Sequence, residues 1–230
     1  MTTPIKIISK SEYLKNNEQP NQEEIWDSIS ELWVNYKKEP FFKVKEFLEG
    51  KKGLVIDFGC GCGRNMIKNN SLKYYGVDFS SEQLKAAEKI TKEKGVNAKF
   101  SKSEADKLDK NIFKDEMFDY GLFIATLHCL ETKKQRENSL KEFYRVLKKD
   151  AEALISVWNS KDERFKGLKG DIYMSWKKDG KEHMRYYYLY SKDELIDLLK
   201  KTGFKILEIY EKEENNDRFS KKNLIIKVKK

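Results

Sequence analysis

Three closely spaced glycines follow a short apolar run that contains an acid. The stretch VIDFGCGCGRN, residues 55–65, places Gly59, Gly61 and Gly63 directly after that run, and Asp57 stands two residues before the first glycine. A glycine-rich turn after a strand lets the backbone approach a ligand at the carboxyl edge of a parallel sheet. The fingerprint of dinucleotide sites is G-x-G-x-x-G, whereas here the third glycine comes one residue earlier. The stretch therefore predicts a ligand-binding turn that differs from a dinucleotide site.

Two acids indicate which ligand this turn takes. Asp57 would repel a pyrophosphate, but it suits an ammonium and a nearby sulfonium, the charges carried by the methionine part of S-adenosylmethionine. Asp78 comes nineteen residues after Gly59, at the end of the next apolar run. An acid at that position can accept hydrogen bonds from both ribose hydroxyls. These residues predict S-adenosylmethionine as the cofactor.

The elements that position these residues follow from hydrophobic periodicity. Apolar runs alternate with helical patterns from residue 53 onward, which predicts parallel strands joined by crossover helices. The expected strands are 53–57, 73–78, 98–101, 118–124 and 152–158, and the clearest crossover helices are 80–95, with serine and glycine caps, and 133–149. Two closing strands are expected in FKILEIYEKE and NLIIKVKK. The pattern predicts a seven-stranded α/β sheet.

Two additions to this sheet belong to a single domain that covers 1–230. The N-terminal helical segment, 1–50, contains the amphipathic stretch EEIWDSISELWVNYKK. An insert at 160–191 follows the fifth strand, and its two β-prone runs around Asp179 and Gly180 are typical of a hairpin. We expect the insert on the substrate side of the sheet.

Composition limits the partners and the compartment. Lys and Arg number 47 against 38 Asp and Glu, a net charge of +9. Polyanions are therefore candidate partners, although a lysine-rich solvated surface is an equally simple interpretation. There is no apolar leader and no run of roughly 20 apolar residues, which predicts a cytoplasmic protein without a membrane partner. The cysteines and histidines lack zinc-ligand spacing, so we expect no metal site.

Four stretches resemble the motifs of the class I S-adenosylmethionine-dependent methyltransferases, which have a Rossmann-like seven-stranded sheet. VIDFGCGCGRN is similar to their first motif, GVDFS to the second, FSKSEADKL to the adenine-binding turn and FDYGLFIATLHCL to the fourth-strand motif. The resemblance implies that Phe79 contacts the cofactor and that Glu104 and Ala105 lie beside the adenine. It also implies that Ile124 lines the outer side of the cofactor.

The segments around this core are similar to the tRNA methyltransferases that esterify 5-carboxymethyluridine at the wobble position of the anticodon. The stretches are ELWVNYKKEPFFKVKEFL, EFYRVLKKDAEALISVWN and SWKKDGKEHMRYYYLYSKDELIDLLKKTGF. The resemblance implies the anticodon arm of tRNA as a partner, with a small zinc-binding activator subunit as a further candidate partner. It implies substrate contacts from seven residues, Trp33, Tyr36, Lys37, Trp158, Trp176, Tyr186 and Tyr187.

The chemistry of such an acceptor defines what the catalytic residues must do. A carboxylate is already ionised at neutral pH and needs no general base, but it needs a cation to orient it. Arg185, next to two tyrosines in RYYYLY, is the candidate because a guanidinium matches a carboxylate geometrically. The alternative is an ordinary strand with Arg185 in solvent. His128 is either a catalytic residue or a packing residue at the rim of the cofactor site.

Two other functions stay open at this point. One is a methyltransferase for a small molecule, with a carboxylic acid or quinone-type acceptor; the other is a non-catalytic methyltransferase-fold protein that binds RNA or a protein.

Trp33 and Tyr36 form either a lid over the site or the core face of a helix. The C-terminal lysines are either a solvated edge or a tRNA contact, namely Lys221, Lys222, Lys227, Lys229 and Lys230.

Overall fold

A seven-stranded sheet forms the centre of the protein, in a computed structural model that describes residues 5–36, 39–210 and 222–230. The strands of the chain are β1 (Ile7–Ser9), β2 (Gly53–Phe58), β3 (Leu72–Asp78), β4 (Ala98–Lys102), β5 (Phe118–Ile124), β6 (Leu147–Trp158), β7 (Gly170–Lys178), β8 (Lys181–Leu189), β9 (Lys205–Tyr210) and β10 (Asn223–Lys229). The order across the large sheet is β4-β3-β2-β5-β6-β10-β9. The first five strands in this order are parallel, and β10 is antiparallel to both of its neighbours. The predicted fold class is confirmed.

The helices of the described residues are α1 (Lys10–Tyr13), α2 (Gln22–Tyr36), α3 (Phe42–Leu48), α4 (Ser81–Lys94), α5 (Lys133–Val146) and α6 (Lys192–Thr202). α4 begins and ends at the expected caps. Ser80 caps α4 by accepting a hydrogen bond from the backbone of Gln83, and Gly95 ends the helix in the left-handed conformation. Such an N-cap typically stabilises a helix by about 1 kcal/mol. None of the helices in the described ranges is long and apolar enough to cross a membrane.

Helices cover both faces of the large sheet, as its apolar parallel strands require. α5 and α6 pack on one face, while α3 and α4 pack on the other. Phe143 of α5 lies so close to Gly121 of β5 that an added Cβ would stand 2.5 Å from its ring. Full burial of a phenylalanine side chain contributes roughly 1.5–3 kcal/mol. A larger residue at position 121 would therefore push α5 away from the sheet.

A second sheet of three strands, in the order β1-β7-β8, lies beside the first. β7 and β8 form the predicted hairpin, and Asp179 and Gly180 at its turn have φ values of 50° and 75°. Two such residues match the twist of the flanking strands. β1 was not predicted, because three residues are too few for a periodic signal; it pairs with β7 through Ile8 and Tyr173.

One predicted helix boundary was wrong. Residues 59–71, which connect β2 to β3, form turns and irregular structure, and three glycines with positive φ lie at their start. The stretch 133–149 is not helical to its end, because α5 stops at Val146 and β6 begins at Leu147. The charged residues that follow Leu147 resemble a helix end in sequence, but Leu147 pairs with Phe118 of β5.

α2 connects the second sheet to the carboxyl edge of the first. The side-chain amide of Gln22 donates to the carbonyl of Met184 at 3.2 Å and accepts from the backbone of Tyr186 at 2.8 Å. Farther along α2, Asp27 accepts a 2.5 Å hydrogen bond from the hydroxyl of Ser80. These contacts place α2 next to the ends of β3 and β8.

Candidate active site

The glycine loop lies at the carboxyl edge of the large sheet, where β2, β3 and β5 end. Gly59 and Gly61 have φ values of 65° and 52°, which favour glycine. At Gly59 an added Cβ would stand 2.1 Å from the Thr126 side chain. At Gly63 an added Cβ would stand 3.2 Å from Thr91, so this glycine packs the loop against α4; its contact with the cofactor stays a prediction.

The two predicted acids are buried beside this loop. Asp78 accepts hydrogen bonds from the backbone of Gly61 at 2.8 Å and of Ser80 at 3.0 Å, and burial raises its pKa to about 6. Asp57 is 1% exposed, and its Oδ2 has no hydrogen-bond partner in the described part of the chain. Burial, followed by the charge of Asp78, raises the pKa of Asp57 to about 8. A cationic ligand group beside Asp57 would stabilise its ionised form.

Three adjoining cavities open along this edge. The strand-end cavity, about 240 Å³, is lined by residues 21–23, Gly59, 77–79, 103–106, Thr126, 129–131 and Gln135. The glycine-loop cavity, about 100 Å³, is lined by Trp26, Trp33, 59–62, Arg64, Asn65, Asp78, Phe79, Gln83, 124–126 and Cys129. The aromatic cavity, about 60 Å³, is lined by Trp26, Trp33, Phe41, Arg64, Ile124, Ala125, His128, Cys129, Ser156, Trp158, Tyr187 and Asn223. Shared lining residues make them one continuous site.

Most of the residues predicted to bind the cofactor line this site. Phe79 and Ile124 lie at the glycine-loop cavity, and Glu104 and Ala105 lie at the strand-end cavity. Glu104 is half exposed and forms an ion pair of 2.7 Å with Lys107. The structure therefore brings together the residues from three separate motifs, as the order of the strands requires.

Sequence reasoning missed two polar residues of the site. Asp106 lines the strand-end cavity, and its Oδ1 is buried with no hydrogen-bond partner in the ranges described; burial raises its pKa. The side-chain amide nitrogen and oxygen of Gln83, at the glycine-loop cavity, are also buried without a hydrogen-bond partner among the described residues. The only available signal for Asp106 was its place next to the Glu104-Ala105 pair. The sequence contains no signal for Gln83, because a glutamine in the first turn of a helix is not typical of any particular ligand site.

Aromatic rings enclose the third cavity. The rings of Trp158 and Tyr187 lie 3.9 Å apart between centroids, and His128 stacks on Trp158 at 5.0 Å. Trp26 and Trp33 of α2 meet edge to face at 5.1 Å. The cavity therefore has faces on which a planar group could stack. Trp26 was not predicted as a site residue, although it lies on the same helix as Trp33.

Arg185 lies behind this aromatic wall. It is 3% exposed, which rules out a position in solvent. Its guanidinium carbon stands 4.9–5.8 Å from the ring centroids of four residues, Trp26, Trp33, Trp176 and Tyr187. Its Nε is buried without a hydrogen-bond partner in the described ranges. Arg185 does not line the aromatic cavity itself, whereas Tyr187 does.

Tyr186, which was predicted to contact the substrate, lies on the opposite face of β8 from Arg185 and lines none of the three cavities. Neighbouring residues of a strand point to opposite faces. The hydroxyl of Tyr186 accepts a 3.0 Å hydrogen bond from Arg136 and donates one to Asp171. Of the other predicted substrate residues, Trp176 contacts Trp33 and Arg185 but lines none of the three cavities.

The last two predicted substrate residues cannot be placed. Tyr36 belongs to the last turn of α2, and its side chain lies outside the described part. Lys37 lies outside the described residues altogether.

His128 is a buried, neutral residue at the aromatic cavity. Its Nδ1 accepts a 3.2 Å hydrogen bond from the backbone of Trp158, so the proton of the neutral ring is on Nε2. Burial lowers the pKa of His128 to about 3. The ring can donate a hydrogen bond, but it is a poor proton acceptor near neutral pH.

The C-terminal lysines lie at both ends of β10. The carbonyl of Lys222 accepts a 3.0 Å hydrogen bond from the backbone of Asn159 at the carboxyl edge, whereas Lys229 and Lys230 lie at the opposite end of the sheet from the site. Asn223 of β10 pairs with Trp158 at the carboxyl edge, while Lys229 pairs with Glu152, about 20 Å away along the strand. Lys229 forms an ion pair with Asp150 at 2.8 Å. Lys229 therefore belongs to an ion-paired edge away from the site, and its contact with tRNA stays a prediction; Lys221 lies outside the described residues.

The comparisons with known proteins agree with this architecture. A methyltransferase-domain family model matches residues 49–216. A protein of Encephalitozoon cuniculi named as a methyltransferase is 30% identical over 171 residues, which are 72% of this chain and 76% of that protein. The tRNA (carboxymethyluridine(34)-5-O)-methyltransferase of Saccharomyces cerevisiae is 25% identical over 166 residues, which are 69% of this chain but only 57% of that protein. A solved structure of an S-adenosylmethionine-dependent methyltransferase from Methanosarcina mazei has a TM-score of 0.65 at 21% identity, covering 83% of this chain and 98% of that one.

The class that this fold and site define is the S-adenosylmethionine-dependent methyltransferases. The chain belongs to the family of the methyltransferase domain. Its site fits the cofactor on three independent features: a glycine cradle that a Cβ would fill at Gly59, a partnerless carboxylate oxygen on Asp57 and a buried amide on Gln83, both judged within the described ranges.

Proposed function

We propose that the protein transfers the methyl group of S-adenosylmethionine to the carboxylate of 5-carboxymethyluridine at the tRNA wobble position. The observation that carries the proposal is a buried arginine, Arg185, behind Tyr187 at a cavity that adjoins the cofactor site. The name of the yeast relative supports the same acceptor. The net charge of +9 suits a polyanionic partner. The zinc-binding activator subunit stays a prediction.

The residues of the first two cavities, together with the buried Asp57, which lines neither of them, would hold the cofactor. Asp78 would accept hydrogen bonds from the ribose, Asp57 would face the ammonium, and Glu104 or Asp106 would lie beside the adenine. When bound, S-adenosylmethionine would supply a sulfonium methyl group, which the acceptor oxygen attacks in line with the S–CH3 bond while the neutral thioether S-adenosylhomocysteine leaves. The chain's contribution is to hold the acceptor oxygen in line with the methyl group. Such positioning lowers the activation free energy by up to roughly 7–11 kcal/mol.

The aromatic cavity would hold the acceptor. The hydroxyl of Tyr187 is buried without a partner in the described ranges and can donate to a carboxylate oxygen, while the charge of Arg185 directly behind it attracts the anion. The rings of Trp26, Trp33 and Trp158 offer faces for an unstacked base. Because the acceptor is already ionised, no proton has to leave it, which agrees with the neutral state of His128.

An acceptor panel tests this proposal. Purified protein is given S-adenosylmethionine and one of four acceptors: tRNA with carboxymethyluridine at the wobble position, the same tRNA with the neutral carbamoylmethyl group or with plain uridine there, and small carboxylic acids. We expect transfer to the first acceptor only, because Tyr187 and Arg185 bind a carboxylate and the aromatic rings bind the base to which it is attached. Transfer to small acids but not to tRNA would replace the proposal by a small-molecule methyltransferase. Cofactor binding without transfer to any acceptor would favour the non-catalytic alternative.

A further inference from the structure

Arg64 lies at the boundary between the cofactor end and the acceptor end of the site. It is one residue beyond the glycine loop and lines both the glycine-loop cavity and the aromatic cavity. Its charge opposes the rise in the pKa of Asp57 that burial causes. Within the described ranges no other lysine or arginine lines any of the three cavities.

The cofactor brings a carboxylate into this region. The methionine moiety of S-adenosylmethionine carries an ammonium, which Asp57 suits, and a carboxylate, which needs the opposite charge. Asp57 and Asp78 are both buried near the loop, so an uncompensated carboxylate there would be repelled. An arginine is the side chain that matches a carboxylate with two parallel hydrogen bonds.

Arg64 and Arg185 lie next to different parts of the site. Arg64 shares the glycine-loop cavity with Gly61, Cys62 and Asn65. Arg185 lies behind Tyr187 and borders no part of that cavity. The site would hold two carboxylates, one on the cofactor and one on the acceptor, and each has an arginine on its own side.

We propose that Arg64 binds the carboxylate of the cofactor's methionine moiety. This role makes Arg64 a cofactor-binding residue and leaves the acceptor carboxylate to Tyr187 and Arg185. The inference depends on S-adenosylmethionine as the cofactor and not on the identity of the acceptor, so it stands or falls separately from the proposed function.

Two ligands that differ only in the carboxylate test the proposal. Calorimetry measures binding of S-adenosylmethionine and of decarboxylated S-adenosylmethionine to the native protein and to Arg64→Gln and Arg64→Lys. Arg64→Gln should weaken binding of S-adenosylmethionine roughly 10- to 100-fold, the scale of a hydrogen bond between charged groups, and should leave the decarboxylated ligand within about 2-fold. Arg64→Lys keeps the charge but loses the fork, so its loss should be smaller and equally selective.

Arg164→Gln is the matched control, because it removes the same charge from a residue that lines none of the three cavities and pairs with Asp162. It should bind both ligands like the native protein. An equal loss of both ligands in the Arg64 variants would overturn the proposal and give Arg64 only a role in shaping the loop. Unchanged binding of both ligands would overturn it too. Thermal unfolding of each variant shows whether it is folded. If Arg64→Gln does not fold, the binding of the two ligands to Arg64→Lys decides the question.

Discussion

The backbone N–H of Gly61 donates a 2.8 Å hydrogen bond to Oδ2 of Asp78. This contact joins the glycine loop to the end of the neighbouring strand, so the two motifs that predicted the cofactor form one structural unit. Asp78 thus has two functions, because it holds the loop and still presents lone pairs to a ligand. Replacement of Asp78 should therefore affect both the position of the loop and the binding of the ligand.

We expect Asp78→Ala to weaken S-adenosylmethionine binding by about 1–3 kcal/mol, the usual consequence of leaving buried polar groups without partners. Asp78→Asn, which keeps one acceptor oxygen for the loop, should lose less. Calorimetry measures both, with the exposed Asp197→Ala as the control. Native affinity in Asp78→Ala would remove Asp78 from the cofactor site.

The stability of the cofactor-free protein should fall as the pH rises from about 5 to about 8. The folded-state pKa of Asp57, about 8, lies above its ordinary value of 3.8, so the folded protein binds more protons than the unfolded chain across this range. Stability therefore decreases with increasing pH there. Thermal unfolding at several pH values measures the effect, and Asp57→Asn should flatten the profile. A stability that rises over the same range would contradict the burial of an unpartnered Asp57.

His128→Ala should lower the rate of transfer less than about 10-fold, with no change in the shape of the pH profile. A general base typically contributes 10²- to 10⁴-fold, and a ring whose pKa is about 3 cannot supply that. His128→Asn retains an acceptor for the backbone of Trp158 and separates packing from chemistry. A loss above 10²-fold that high pH restores would favour an amine, phenol or carbon acceptor.

Arg185→Lys should reduce the rate almost as much as Arg185→Ala, on the order of 10²-fold, the usual effect of removing one preorganised donor. The lysine keeps the charge but cannot fill the space between four rings as a planar guanidinium does. Tyr187→Phe should show a similar loss, since it removes the buried hydroxyl of a residue that lines the cavity. Single-turnover kinetics at saturating tRNA measures the rates, and S-adenosylmethionine affinity should not change in any of the three variants. A fully active Arg185→Lys would exclude the proposed role of Arg185 in holding the acceptor carboxylate.

The sequence predicted the parts of the structure that depend on local pattern. The strands, the caps of α4 and the hairpin at Asp179-Gly180 follow from periodicity and turn residues, and the cofactor loop follows from its spacing. The acid pair was predictable because the ends of parallel strands meet at one edge.

The remaining features depend on contacts between distant segments. The burial of Arg185 among four rings requires α2 to dock on β8, and no local pattern indicates that contact. Strand geometry turns Tyr186 away from Arg185, but which of the two residues faces the site depends on a register that the run RYYYLY does not reveal. The far position of Lys229 follows from the antiparallel direction of β10, which periodicity alone does not distinguish.

The nucleoside formed on tRNA tests the proposed reaction most directly. Purified protein is incubated with methyl-labelled S-adenosylmethionine and tRNA carrying wobble 5-carboxymethyluridine, and the digested nucleosides are analysed by mass spectrometry before and after mild alkali. Esterification predicts one labelled methyl group on the wobble nucleoside, and alkali should release it and restore carboxymethyluridine. A label that survives alkali, or that lies on a different nucleoside, would contradict methylation of the carboxylate.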